Sequence, residues 1–405
     1  MQSLKELYKI GRGPSSSHTL APERACRLFM EKEGSFPFYE AELYGSLSLT
    51  GRGHETDRII IETLDHPCEV TFHLDWVEGF PNGFYLYGLN ENRERVRKWT
   101  VFSVGGGSIL VKELGTVLEE VYEEDSFEQI LAFVKREGIS LSDYVYLHEP
   151  DLKDYLKEIL NAMTDCVARG LPKEGRLPGK LGLSRSAKTI FQEAENDDRL
   201  RIMSYAYAAC EENADHGVCV TAPTLGACGV LSALMYYLRN NCDIPDEILV
   251  DALAVGGIFG NLIKKNATIS GAVGGCQAEV GAAVSMAAAA YACVLGLTEE
   301  EIEYAAEIGM EHHLGLTCDP VMGYVMIPCI ERNAVAVLRA MDAAELSRSL
   351  SRIRGHMISF DMVVKTMNET GKKIPIELKE TSEGGLAKEY TSEEGRDDPA
   401  GRNTV

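Results

Sequence analysis

Three cysteines stand out for their surroundings: Cys276 in ISGAVGGCQAEVG, Cys318 in HHLGLTCDPVMG and Cys329 in VMIPCIERNA. Each follows or sits in a glycine- or proline-bearing break between helical segments. Thiolates on such loops can converge on one cavity, where neighbouring backbone N–H groups can bond to cluster sulfides. The spacings (276 to 318 is 42, 318 to 329 is 11) match neither the tight C-x2-C-x2-C run of a ferredoxin nor a paired CxxC zinc site. Spacing alone leaves two readings open, a shared metal site and three unrelated buried thiols.

Polar candidates cluster in two further motifs. Ser15, Ser16, Ser17 and Thr19 make GPSSSHT a hydroxyl-rich loop at a helix start. Its O–H and N–H donors suit a substrate carboxylate, and they equally suit plain helix capping. His18 in that loop and His54 in GRGHETD are each flanked by glycine-bearing turns. Either is a sensible general base near neutral pH, or a structural histidine bonded to backbone. Asp57 either orients His54 or caps the DRIIIETL helix. Lys264, Asn266 and Ser270 in IKKNATIS are candidates for substrate binding, and Thr221 and Thr224 in VTAPT are similar. His312 and His313 are adjacent, so on a helix they point about 100° apart and cannot act as an HExxH-type pair. One of them can line a cavity beside Cys318. The glycines of Gly105–Ser108 follow a strand and read as a backbone turn rather than a phosphate cup.

The elements that must position these residues change character near residue 150. Before it, SLKELYKI, LAPERACRLFMEKEG, DRIIIETL and SFEQILAFVKREG read as helices. Tyr39–Leu47, CEVTFHL, GFYLYGL and VRKWTVFSV read as strands. Residues 1–149 therefore form an α/β domain with a mixed or mostly antiparallel sheet. After it, long stretches rich in Ala, Leu, Met and Glu predict an all-helical domain over 150–387. The segment 388–405, KEYTSEEGRDDPAGRNTV, is polar without apolar period and is expected to be disordered. The fold class is α+β.

Composition narrows the partners. Hydrophobic residues are 45% and charged residues 25% of 405, the mix of a globular chain. A net charge of -22 opposes nucleic-acid and anionic-membrane partners, which need a basic face. The most apolar stretch, Val280–Leu297, is built of Ala and Gly and reads as a close-packed core helix. No signal peptide is expected at MQSLKELYKIGRG, so the location expected is cytoplasmic. Eleven cysteines, an odd number spread along the chain, argue against a disulfide framework in a reducing compartment. Cys26, Cys166, Cys210 and Cys293 lie in apolar helical patterns and read as small core hydrophobes.

The ordered motifs GRGPSSSHTLAPERA, GSLSLTGRGHETDR, SVGGGSI, EENADHGVCVTAPTLGACGV, IKKNATISGAVGGCQAEVGAAVSMAAAA, EHHLGLTCDPVMGYVMIPCIERNA and KETSEGGLA resemble the bacterial iron–sulfur L-serine dehydratases, in their single-chain form. The resemblance covers nearly the whole chain. It implies an N-terminal α/β domain fused to a helical catalytic domain, and a [4Fe–4S] cluster held by Cys276, Cys318 and Cys329. Three thiolates leave one iron open for Lewis-acid chemistry on L-serine, yielding pyruvate and ammonia. It also brings His18 and His54 forward as catalytic residues. Many members end in a cysteine soon after GGLA. Here no thiol follows Cys329, so water, a carboxylate or substrate is expected at that iron. A homodimer is the expected assembly. Two alternatives remain beside this function: a related lyase for another small hydroxy or thiol amino acid, and a non-catalytic amino-acid-binding protein.

Overall fold

The computed structural model describes residues 1–115 and 119–397. Its strands are β1 (Ile10–Arg12), β2 (Phe38–Leu43), β3 (Cys68–Phe72), β4 (Gly83–Leu89), β5 (Arg95–Ser103), β6 (Ile109–Val111) and β7 (Val218–Val220). Five of them form one mixed sheet in the order β3-β2-β4-β5-β6. Only β2 and β3 pair in parallel, because helix Thr56–Thr63 carries the chain between them; the other neighbours are antiparallel. Along β2, Tyr39, Ala41 and Leu43 alternate inward. They meet Phe29 of helix Ala21–Glu33, Ile60 of helix Thr56–Thr63, and Phe84 and Trp99 of the sheet in one apolar core.

A second, larger core belongs to the helices. Val280–Val294 runs through its centre, with Ala282, Ala283 and Ala287–Ala290 all buried. Alanine faces let neighbours approach closely. A Cβ added to Gly256 in helix Asp246–Asn266 would lie 2.6 Å from the Met286 carbonyl oxygen. Cys276–Val294 is long and apolar enough to span a membrane by composition, yet 83% of that window is buried within the protein, as a core helix should be. Cys26, Cys166 and Cys210 are buried, Cys293 partly so, and the cysteines are free.

The division between the two cores differs from the one read in the sequence. Phe127, Ile130, Val134, Tyr144 and Val145 pack into the helical core, although they precede residue 150. Helices Phe127–Glu137 and Leu141–His148 have amphipathic faces that the small sheet leaves no room to cover, so they join the larger body. The chain start also crosses over. Met1, Leu4, Leu7 and Tyr8 are buried among the helices, and β1 pairs with β7 of the helical body. The polar stretch from 388 departs from expectation as well. Gly385–Asp397 is helical; Leu386 N–H donates to Asp319 Oδ2 at 2.7 Å, so a distant carboxylate caps the helix start. Residues 398–405 of that stretch lie outside the described residues.

The buried start of the chain seats on two glycines. A Cβ on Gly257 would lie 2.7 Å from Leu4 Cδ1 and 3.1 Å from Tyr8 Cε2, and one on Gly260 would lie 2.8 Å from Leu7 Cδ2. Gly257→Val therefore overpacks this groove. Urea unfolding should show a loss of about 1–3 kcal/mol; an unchanged midpoint would mean the segment is not held there.

Candidate active site

The sheet unit and the helical body meet along a seam, and the histidine motifs lie in it. Ser16–Leu20 forms one π-helical turn whose preceding Ser15 accepts from the His18 N–H. His18 and His54 are both buried and stack with ring centres 4.1 Å apart. His18 Nε2 faces the Thr50 hydroxyl at 2.9 Å and the Ser46 carbonyl at 3.0 Å. A carbonyl only accepts, so this nitrogen carries the proton. His54 Nδ1 likewise donates to the Thr50 carbonyl at 2.9 Å. That leaves His54 Nε2 as the lone-pair nitrogen, with no protein partner among the described residues. Burial holds His54 down to about 4 and His18 well below its usual value, with the His54 ring adding to the latter effect. Both rings are neutral at pH 7.

Glycine permits the close approach across the seam. A Cβ on Gly53 would come within 2.8 Å of the Gly323 carbonyl of the helical body. From that body, Glu380 reaches the histidines, its carboxyl 3.5 Å from His18 Nδ1, while the Ser46 hydroxyl donates to its backbone carbonyl at 2.8 Å. His18, His54 and Glu380 offer ligand atoms within 4.8 Å of one another, a grouping able to hold a metal ion.

The three loop cysteines converge beside Glu380. Cys276 opens a tight turn after Gly275, whose φ is +74°. Cys318 is held by backbone bonds to the segment 378–380: its N–H donates to Leu378 and its carbonyl accepts from Glu380 N–H. Cys329 is the first residue of helix Cys329–Leu350, with its carbonyl bonded by buried Asn333. The Cys276 and Cys318 thiols stand against each other, which lowers Cys276 and raises Cys318; Arg332 beside Cys276 assists the lowering. Burial, with Cys276 nearby, pushes the Cys329 thiol up. Cys318 Sγ lies 3.6 Å from Glu279 Oε2. Burial raises both Glu279 and Glu380, and Glu279 raises Glu380 further.

Cys276, Cys329 and Glu279 thus face one guanidinium, Arg332, which is tied to the Thr317 carbonyl at 2.7 Å and to Asp319, while Cys318 and Glu380 stand against these groups. One oxygen of Glu380 and the buried Ser270 hydroxyl have no hydrogen-bond partner among the described residues. A soft donor set short of positive charge, with unbonded polar atoms beside it, fits a cationic thiolate-bound metal group.

Not every expected residue arrives here. Lys264 donates to the Glu6 carbonyl, and exposed Asn266 donates to the Asp125 carbonyl; both are engaged elsewhere, at the end of helix Asp246–Asn266. Ser270, by contrast, sits next to Gly271, where a Cβ would lie 3.3 Å from Cys318 Sγ. Within the histidine turn, Ser15 Oγ is 3.4 Å from His18 Nδ1, whereas Ser16 accepts from Leu225 N–H and Thr19 bonds the Ser15 backbone. Ser17 is buried in the same turn. Thr50, not Asp57, orients His54. Thr221 ties the Leu7 and Lys9 backbone, and Thr224 stands against Glu279. His312 and His313 each bond a carbonyl of their own helix. Residues missed by sequence reasoning are Glu279, Arg332, Thr50 and Glu380. Three of them had a signal: Glu279 and Arg332 each follow a cluster-motif cysteine by three positions, and Glu380 lies in KETSEGGLA.

Two family models match the chain in succession. Residues 112–387 match the serine dehydratase alpha chain family, beginning where β6 ends, and residues 3–69 match the serine dehydratase beta chain family. An L-serine dehydratase of Streptomyces coelicolor is 38% identical, over 95% of this chain and 98% of its own. One from Haemophilus influenzae and L-serine dehydratase 1 of Escherichia coli are each 36% identical, over 96% of this chain and 99% of theirs. With alpha-chain cysteines and beta-chain histidines joined across one seam of a single polypeptide, the chain belongs to the serine dehydratase family.

Proposed function

We propose that this protein is an L-serine ammonia-lyase that converts L-serine to pyruvate and ammonia, with Cys276, Cys318 and Cys329 holding a [4Fe–4S] cluster. The observation that carries the proposal is the convergence of these three thiols beside Glu380, which in turn touches the paired histidines. When bound, a cluster with three thiolate ligands supplies a Lewis-acidic iron.

The chain's own residues supply the remaining chemistry. Its bare Nε2 makes His54 the base for the Cα proton, and because burial keeps the ring neutral, that lone pair is present throughout the neutral range. His18, fixed by Thr50 and Ser46, stacks on His54 and holds its plane. Ser15 and Ser270 are the hydroxyls beside the histidines and the thiols that suit a substrate carboxylate or amine. Enclosure of the seam excludes water from the enamine product until release.

Several surroundings support the wider reading. Free cysteines throughout the described chain suit a reducing, cytoplasmic setting. The net charge of -22 suits a small-molecule substrate rather than nucleic acid or an anionic membrane. Exposed Ile353, Met357 and Met362 form an apolar stretch that suits a second copy in a homodimer.

Anaerobic iron and sulfide reconstitution followed by pyruvate detection with L-serine tests the function. Iron-bearing protein that releases no pyruvate from L-serine would overturn it. Cys276→Ser, Cys318→Ser and Cys329→Ser should each lose iron and visible absorbance, while Cys26→Ser and Cys293→Ser keep them; a triple variant that retains four irons would refute the ligand set. His54→Ala should keep the cluster yet lower kcat by roughly 10²–10⁴-fold. Near-normal turnover would remove His54 as the base.

The neutral histidine also has a stability signature. Unfolded His54 binds a proton near pH 6.5 and folded His54 only near 4, so the unfolded state binds more protons between those values. Its contribution is complete above pH 6.5 and lost as pH falls toward 4, by about 3 kcal/mol in all. In urea unfolding of cluster-free protein, wild type should lose more stability from pH 7 to pH 5 than His54→Gln does. Equal losses would show that His54 takes up its proton in the fold just as it does in the unfolded chain.

A further inference from the structure

A cleft apart from the active seam is lined almost wholly by the first 27 residues of the chain, with Tyr155 and Val218 closing it. Its volume is about 560 Å³, within the range of small-molecule sites. Lys5, Lys9, Arg12, Arg24 and Arg27 face it against two carboxylates, Glu6 and Glu23. Five cations less two anions is a formal +3, on a chain whose total is -22. Scattered surface charge of a strongly acidic chain does not produce such an inversion in a concavity.

The internal pairing leaves the excess free. Glu6 is held by Lys9 at 3.2 Å and by Arg24 at 3.6 Å, and Glu23 by Arg27 at 2.8 Å. Lys9 is itself buried, its ammonium bonded to the Gly106 carbonyl and the Ser108 hydroxyl. Burial holds that ammonium down to about 7, so Lys9 shapes the cleft floor rather than contacting a ligand, and Lys5, Arg12, Arg24 and Arg27 still outnumber Glu6 and Glu23. Lys5 stands 5.6 Å over the Tyr155 ring, and neither it nor exposed Arg12 has a carboxylate partner among the described residues. Ile10, Leu20 and Val218 give the same cleft apolar contact surface.

We propose that this cleft binds a small organic polyanion, with Arg12, Arg27 and Lys5 as its contacts. Guanidinium forks match carboxylate and phosphate oxygens alike. The ligand is small because the cleft holds only about 560 Å³ and the remaining surface, strongly acidic, repels an extended polyanion. The site touches the catalytic region through one strand: the Arg12 carbonyl accepts from the Thr19 hydroxyl at 3.4 Å, next to His18.

Calorimetric titration of the full cluster-loaded chain at fixed ionic strength tests this, with tricarballylate as the carboxylate probe and glycerol 2-phosphate as the phosphate probe. One saturable site per chain is expected for at least one probe, and the responding probe identifies the anion chemistry. Arg12→Gln and Arg27→Gln together should weaken it by about tenfold per charge removed, whereas Arg199→Gln, exposed at the start of helix Asp198–Ala214 and not part of the cleft, should not. Absence of saturable binding with both probes, or equal affinity in the double variant, overturns the proposal.

Discussion

Burying many acidic groups around a single fixed cation is the constraint on which this structure turns. Cys276, Cys329 and Glu279 meet at Arg332, with Cys318 and Glu380 packed against them. Ionising them all there would cost several kcal/mol per group. The protein meets the constraint by holding most of them neutral: burial raises the carboxyls and Cys329 and lowers both histidines, and Cys276 with burial raises Cys318. Such a site is poised to release protons and accept a cationic centre, which would reverse the electrostatic balance.

That constraint explains the seam. Neither unit could enclose these groups alone: the helical body brings thiols and carboxyls, the sheet unit brings histidines and the hydroxyls that orient them. Thr50 is the hinge of this arrangement, since its carbonyl sets the tautomer of His54 and its hydroxyl accepts from His18. Ser46 completes the join by bonding the Glu380 carbonyl. Backbone must pass close to backbone for this to work, which is why Gly53 faces Gly323 where a side chain would not fit.

Rigidity comes from below. The alanine-rich helix Val280–Val294 follows directly on the Cys276 turn, and its close neighbours leave it little freedom to move. The chain start then does double duty: Leu4, Leu7 and Tyr8 anchor in the helical core, while the following residues line a cationic cleft and lead into the His18 turn. Position along the chain thus links the helical core, the cleft and the seam without a separate connecting element.

Much of this was legible in the residues. Strong period-2 and period-3.6 patterns carried the sheet and helices, and the ordered motifs around Cys276, Cys318, Cys329, His18 and His54 carried the family. Patterns failed where distant partners decide. The helices of 127–148 look like part of the first domain until one asks which core has room for their apolar faces. The helix from Gly385 depends on a cap from Asp319, 66 positions earlier. Lys264 and Asn266 sit in a family motif, yet the end of their helix points them to Glu6 and Asp125. The sequence by itself determined which elements form and which reactive groups are present, because periodicity and residue chemistry are local properties. Only the tertiary structure decided that Glu380, Arg332 and Thr50 join them, because hydrogen-bond direction and burial depend on what lies across the seam.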